Sequence, residues 1–177
     1  MSQSSASSAV LPQSLGLADP RLYLATAAMV LGNLALPWAV HRIPQGGQML
    51  LPILFFTLIA GWRFGLKAGL LTGLLSPLAN HLLTGMPPTP VLPGLLLSSA
   101  LLGVLAGLAG GRRATVAVLA LVVLAHQALT LSPLLAHGAG AMLAGFRFHL
   151  PGVLLMILGG RAVLGTLGRR PAATHEG

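Results

Sequence analysis

Residues 51–93 have the sequence LPILFFTLIAGWRFGLKAGLLTGLLSPLANHLLTGMPPTPVLP. The segment holds two apolar runs, which the short basic stretch RFGLK at 63–67 separates. The turn-forming stretch TGMPPTP at 84–90 follows the second run. A helix that crosses a membrane needs about 20 predominantly apolar residues, with a range of roughly 17–25. The segment therefore predicts two consecutive membrane spans followed by a loop.

The composition of the whole chain supports this interpretation. Of the 177 residues, 55% are hydrophobic and 7% are charged, whereas about 25% of the residues of a soluble domain are charged. The sequence thus predicts an all-α integral membrane protein. The formal net charge of +8 could indicate nucleic acid in a soluble protein. Here the cations lie at the ends of apolar segments, so we expect them to face lipid headgroups and to set the topology, with no nucleic-acid partner.

Acidic residues and cysteines are almost absent from the sequence. The two carboxylates are Asp19 and Glu176, and there is no cysteine. Most acid–base chemistry and metal binding by carboxylates or thiolates therefore lacks its usual groups. The sequence also lacks GxSxG, HExxH and P-loop motifs. We expect a protein that is not an enzyme, that holds no cofactor and that takes energy for any active transport from a partner.

The apolar segments predict six spans in a transmembrane domain of residues 21–168. A flexible cytoplasmic tail, 1–20, precedes this domain, and a cytoplasmic tail, 169–177, follows it. The second span is short, and residues 132–152 have room for a re-entrant or interfacial helix. The predicted spans are 22–40, 49–62, 66–83, 91–109, 114–131 and 150–167.

The distribution of Lys and Arg predicts the orientation. If the N-terminus is inside, only Arg42 and Arg147 lie outside. Cytoplasmic segments carry an excess of Lys and Arg. We therefore expect a multi-pass protein of the cell (inner, cytoplasmic) membrane with both termini in the cytoplasm. The residues on the inner side are Arg21, Arg63, Lys67, Arg112, Arg113, Arg161, Arg169 and Arg170.

Small residues recur at every fourth position in two spans. Such stripes let helix backbones approach closely. Ordinary helix packing is the favoured interpretation, and a sliding surface for a partner subunit is the alternative. The stripes are Gly65, Gly69 and Gly73 in the third span, and Ser99, Gly103, Gly107 and Gly111 in the fourth.

Polar residues gather towards the outer ends of the predicted spans. Lipid cannot satisfy their hydrogen bonds, so they normally face a cavity or one another. Simpler alternatives exist for single members: His81 can point to headgroups, Asn80 can bridge two helices, and Arg147 can anchor at the interface. Asn33, midway along the first span, is better explained as a contact between helices. The predicted outward-facing substrate pocket comprises Gln45, Gln48, Asn80, His81, His126, Gln127, Arg147 and His149.

These features make residues 22–167 similar to the substrate-binding membrane subunits (S-components) of energy-coupling factor (ECF) vitamin importers. The similarity rests on the small size, six spans, inside termini, a loop before the second span, and residues 51–93 above all. It implies that a vitamin binds in an outward cavity closed by loops. It also implies a transmembrane coupling subunit and two ATPase subunits as partners, and toppling of the S-component in the bilayer.

Within that family the chain most resembles the cobalamin-specific S-component, through SPLANHLLTGMPP at 76–88. Such proteins can carry a cysteine here that ligates the cobalt of the substrate, whereas this chain has Ala79, Asn80 and His81. Imidazole is also a good ligand for transition metals. The resemblance therefore leads to the hypothesis that His81 approaches the corrin cobalt, the only metal expected.

Three questions stay open at this stage. Outer cations, Arg42 and Arg147, favour a ligand with a phosphate, which several vitamins share, so the substrate can be another vitamin or micronutrient. An Ala-x-x-x-Ala motif for a shared coupling module is interrupted, because Pro37 lies between Ala35 and Ala39. A solitary S-component, for which the coupling subunits are dispensable, is thus an alternative. A structural or assembly membrane protein without a small-molecule site is another.

Overall fold

The computed structural model describes residues 14–40 and 45–167, and all regular structure in these residues is helical. This confirms the predicted all-α class. Eight α-helices follow one another along the described chain. They are α1 Pro20–Val40, α2 Gly46–Met49, α3 Pro52–Phe64, α4 Leu66–Thr84, α5 Leu92–Ala109, α6 Val116–Leu131, α7 Ala139–Leu154 and α8 Gly160–Leu167.

Within the described residues, three helical stretches are long and apolar enough to cross a membrane. They are Leu92–Ala109, Val116–His137 and Ala139–Leu167. The second extends α6 by the 3-10 turn Ser132–His137, and the third joins α7 to α8 through the π turn Leu155–Gly159. Large apolar side chains also point away from the bundle, and Leu97 and Leu121 are 73% and 67% exposed. Such a surface is typical of helices that face lipid, and the three long apolar helices indicate a membrane protein.

The last helix starts earlier than the sequence predicts. Residues 132–152 were expected to be a linker with room for a short re-entrant or interfacial helix, but α7 begins at Ala139 and the helix continues without a break to Leu167. The predicted start at residue 150 is therefore too late for the helix, which contains Pro151 in its interior. Proline lacks the N–H of one helical hydrogen bond, yet the helix continues through it, and Leu155 N–H is directed at the carbonyls of Pro151 and Gly152. The π turn Leu155–Gly159 follows.

Helix α3 is the central element of the bundle. It has 13 residues, about 20 Å at a rise of 1.5 Å per residue, which is shorter than the hydrocarbon core of about 30 Å. Its residues from Pro52 to Trp62 are buried except Phe56. Helices α1, α4, α5 and α8 pack around it. A helix this short fits a membrane protein because the surrounding helices cover it.

The small-residue stripes lie between α4 and α5. A Cβ atom on Gly69 would meet the carbonyl oxygen of Gly103, and one on Gly103 would meet that of Gly69. Along the same interface, a Cβ on Gly73 would lie 2.6 Å from the carbonyl oxygen of Ser99, and one on Gly107 would meet the backbone of Leu66. Both stripes are therefore internal packing surfaces, which confirms the favoured interpretation at these positions.

Backbone contacts bring several basic residues to one end of the bundle. Leu15 N–H, just before α1, donates to the carbonyl of Phe64 at the end of α3 (3.2 Å). A Cβ on Gly110, after α5, would lie 3.0 Å from the Trp62 carbonyl oxygen. The start of α1, the α3–α4 turn and the α5–α6 turn therefore share one end. The basic residues of these segments are Arg21, Arg63, Lys67, Arg112 and Arg113.

A buried hydrogen-bond network centred on Asn33 joins four helices. Asn33 Nδ2 on α1 donates to Thr57 Oγ1 on α3 (3.0 Å) and to Ser76 Oγ on α4 (2.9 Å). Its Oδ1 accepts from Phe56 N (2.9 Å). Thr57 Oγ1 lies 3.4 Å from Ser99 Oγ on α5. The four polar side chains are fully buried, which agrees with the expected role of Asn33 as a contact between helices.

Gly103→Ala should lower the free energy of unfolding by about 1–3 kcal/mol, because the new methyl group forces α4 and α5 apart. The measurement is unfolding of the purified protein in detergent. Gly94→Ala, in the same helix, is the control, since no atom lies within 4 Å of its Cβ position. Equal stability of the two variants would contradict the observed contact.

Asn33→Leu should also destabilise the protein, by about 1–3 kcal/mol, because the buried hydroxyls of Thr57 and Ser76 lose their partner. The same unfolding assay measures it. Leu31→Ala on the outer face of α1 (Leu31 is 64% exposed) should change stability by less than about 0.5 kcal/mol. If Asn33→Leu were as stable as the wild type, the network would contribute nothing to the free energy of unfolding.

Candidate functional site

His126 on α6 forms a buried contact with α5. Its Nε2 lies 3.0 Å from Ser98 Oγ and 3.1 Å from the Ser98 carbonyl oxygen. A carbonyl oxygen can only accept, so Nε2 carries a proton and donates. One turn further along α6, Thr130 Oγ1 lies 3.4 Å from the same Ser98 hydroxyl. The imidazole is therefore held in one orientation between two helices.

The neighbouring residue, Gln127, points towards α7. Its Oε1 accepts a hydrogen bond from His149 Nδ1 (3.3 Å), and the Gln127 side chain is only 1% exposed. This contact depends on the early start of α7, because His149 lies on the helix and not in a loop. The structure thus brings three predicted residues together: His126, Gln127 and His149.

Two buried atoms of this group have no hydrogen-bond partner among the described residues. They are His126 Nδ1 and Gln127 Nε2. A buried polar atom without a partner costs about 1–3 kcal/mol, so native proteins contain few of them. These atoms are therefore the first places to look for a bound molecule.

Asn80 and His81 lie at the end of α4, next to the α4–α5 loop. Thr84 Oγ1 donates to the Asn80 carbonyl (2.7 Å), so the hydrogen bonds of Asn80 in the described structure stay within its own helix end. His81 Nδ1 donates to the carbonyl of Pro87 in the loop (2.7 Å). In a neutral imidazole the proton on Nδ1 leaves the lone pair on Nε2. That nitrogen is the one able to bind a metal.

The remaining predicted residues lie elsewhere or outside the description. Arg147 is exposed on α7, and Gln45 is exposed just before α2 with a φ of 57°. Gln48 lies within α2, but its side chain is outside the described part of the structure, as is the whole of Arg42. Their roles at a binding site stay predictions.

The predicted pocket residues fall into separate groups in the described structure. No hydrogen bond in that part of the chain joins Asn80 or His81 to the His126 group. Ser98 belongs to the His126 group but escaped the sequence analysis, because one serine in an apolar helix carries little signal. No set of three or more His, Asp or Glu side chains that could hold a metal occurs in the described ranges.

Two depressions lie on the sides of the bundle. One, of about 410 Å³, runs between α1 and α4, where it is lined by Tyr23 and Leu75 among others. The other, of about 250 Å³, lies between α6 and α7, and Gln127 lines it.

Comparisons with family models, curated proteins and solved structures gave no match to this chain.

A double-mutant cycle tests the His126 contact. Ser98→Ala and His126→Phe should each destabilise the protein, and the two losses should overlap by about 0.5–2 kcal/mol because both variants remove the same hydrogen bond. Unfolding in detergent measures the free energies. His126→Phe combined with Thr84→Ala, which belongs to the α4 group, should be additive within about 0.5 kcal/mol. Additivity of Ser98→Ala with His126→Phe would contradict the contact.

Proposed function

We propose that this chain is the substrate-binding membrane subunit of an ECF-type vitamin importer. In this proposal it binds a vitamin from outside, and a corrinoid is the favoured substrate. The observation that carries the proposal is the orientation of the His81 imidazole and the nitrogen that it leaves free. Its Nδ1 donates to the Pro87 carbonyl, which orients the ring and leaves the lone pair on Nε2. This occurs within residues 76–88, the segment that most resembles the cobalamin-specific S-component.

The proposed topology has six passes, formed by α1, α3, α4, α5, α6 and the continuous α7–α8 helix, with both termini in the cytoplasm. The start of α1, the α3–α4 turn and the α5–α6 turn carry basic residues and lie at one end of the bundle. This supports the proposed topology, because the cytoplasmic side carries the excess of Lys and Arg. Arg161 on α8 extends the same pattern. On this orientation His81, His126 and His149 lie towards the outer side.

The proposed site is at the outer mouth of the bundle. A corrinoid, with its macrocycle and nucleotide loop, is larger than the 250 Å³ cavity between α6 and α7. It would therefore lie among the outer loops, with His81 Nε2 towards the cobalt. The cobalt belongs to the substrate, and the protein supplies one imidazole ligand, which suits a transition metal.

The proposal assigns the energy for uptake to partners. Outside the tails the chain has no carboxylate, so a carboxylate proton relay of the kind found in pumps has no residues to use. A coupling subunit and two ATPases would drive import, unless the chain acts as a solitary S-component. An S-component for another vitamin, and a structural membrane protein, are the alternatives that the following test separates.

His81→Ala should weaken binding of hydroxocobalamin at least about tenfold and change the absorption spectrum of the bound corrinoid, since a direct ligand to the cobalt is lost. Titration of the purified protein, followed by absorbance, measures both. His137→Ala, an exposed histidine in the 3-10 turn, should change neither.

Unchanged affinity and spectrum in His81→Ala would refute ligation by His81. A wild-type protein that binds another vitamin in a thermal-shift panel would replace the corrinoid as substrate. Binding of no vitamin at all would favour the structural role.

A further inference from the structure

The cavity between α6 and α7 is lined by apolar residues and one polar residue. Its volume is about 250 Å³, just below the range of about 300–1,000 Å³ typical of sites for drug-sized ligands. Among the described residues that line it, Gln127 alone carries a polar side chain. The apolar lining includes Leu124, Ala128, Leu131, Met142 and Phe146.

Gln127, one of the residues that line this cavity, has an unused hydrogen-bond donor. The side chain is 99% buried, given its 1% exposure, and its Nε2 has no partner within the described structure. Its Oε1 is already taken by His149 Nδ1, which fixes the amide so that the NH₂ group is the part left over. With the amide in this orientation, the partner that Nε2 lacks is an acceptor.

Water is a poor candidate for that partner. A buried water needs two to four polar contacts to be stable, and one amide group is all that this lining offers. An apolar molecule that carries one strong acceptor suits the cavity better, since its body replaces the empty space and its acceptor meets the amide.

The position of the cavity indicates where such a molecule would come from. Leu124 and Leu143 line it and are also 42% and 50% exposed, so the cavity opens on the apolar surface of the bundle. Both flanking helices belong to the stretches able to cross a membrane. The opening therefore faces the lipid phase.

We infer that this cavity binds the acyl ester of a membrane lipid, with the chain among the apolar residues of α6 and α7 and the ester carbonyl accepting from Gln127 Nε2. The inference does not depend on the proposed vitamin function, which rests on His81. A lipid ester in this position would remove Gln127 from the predicted substrate contacts and leave His81 among them.

The test compares two probes with the same number of non-hydrogen atoms, methyl octanoate and n-undecane. Both are added to the purified protein in detergent, and binding is followed by saturation-transfer NMR. The measured quantity is the ratio of the affinity for the ester to the affinity for the hydrocarbon. This ratio should be about fivefold higher for wild type than for Gln127→Leu, because one net hydrogen bond is worth about 1 kcal/mol. Comparison with the variant cancels the different partition of the probes into micelles.

Ala128→Phe provides the second variant, since a ring in the cavity wall should abolish binding of both probes. If Ala128→Phe fails to fold, the comparison of wild type with Gln127→Leu still tests the inference. Equal preference in wild type and Gln127→Leu, or no binding of either probe by wild type, would overturn the inference.

Native mass spectrometry tests the source of the ligand. Wild type should retain a diacyl phospholipid through purification, and Gln127→Leu should retain at least about fivefold less. Replacement of the diacyl lipid by a dialkyl ether lipid, which lacks the ester carbonyl, should lower retention by wild type to the level of the variant. If the probes bind but no phospholipid is retained, the site takes a solute and the lipid assignment is wrong.

Discussion

A polar side chain inside an apolar bundle has to find its partners within the protein, and Asn33 shows how this constraint organises the fold. Its amide binds α3 and α4 from α1, and Thr57 extends the network to α5. The short helix α3 can stay central because these bonds and the close α4–α5 packing at Gly69 and Gly103 surround it. Any shift of one helix would leave buried hydroxyls without partners, so the network also selects the register.

The same constraint distinguishes polar groups whose hydrogen bonds are complete from polar groups that lack a partner. All polar atoms of the Asn33 amide are satisfied, whereas His126 Nδ1 and Gln127 Nε2 are buried without partners in the described part of the chain. His81 differs again, because its ring is oriented by the Pro87 carbonyl at the edge of a loop. Satisfied groups account for the stability of the bundle. Incompletely satisfied or oriented groups are where a substrate or a lipid would bind.

Part of the candidate site could be predicted from residue type and depth along each helix. His126, Gln127 and His149 were expected at one level, and the structure joins two of them by a hydrogen bond. Residue depth could not reveal the partner Ser98, nor that Asn80 and His81 form a separate group. Those facts depend on the rotation of each helix about its axis, which weak apolar periodicity in a lipid-facing bundle does not define.

Composition and apolar run length were sufficient to establish an all-helical membrane protein and most helix bounds, because burying backbone polar groups in lipid permits few alternatives. Run length failed for the last helix, which was expected from residue 150 but begins at Ala139 and contains Pro151. Tertiary structure alone shows where that helix packs. Gly152 packs against the backbone of Leu50, with a Cβ position only 2.7 Å from the Leu50 carbonyl. Such a contact between residues a hundred positions apart has no signature in the linear chain, because it depends on which surfaces meet after folding.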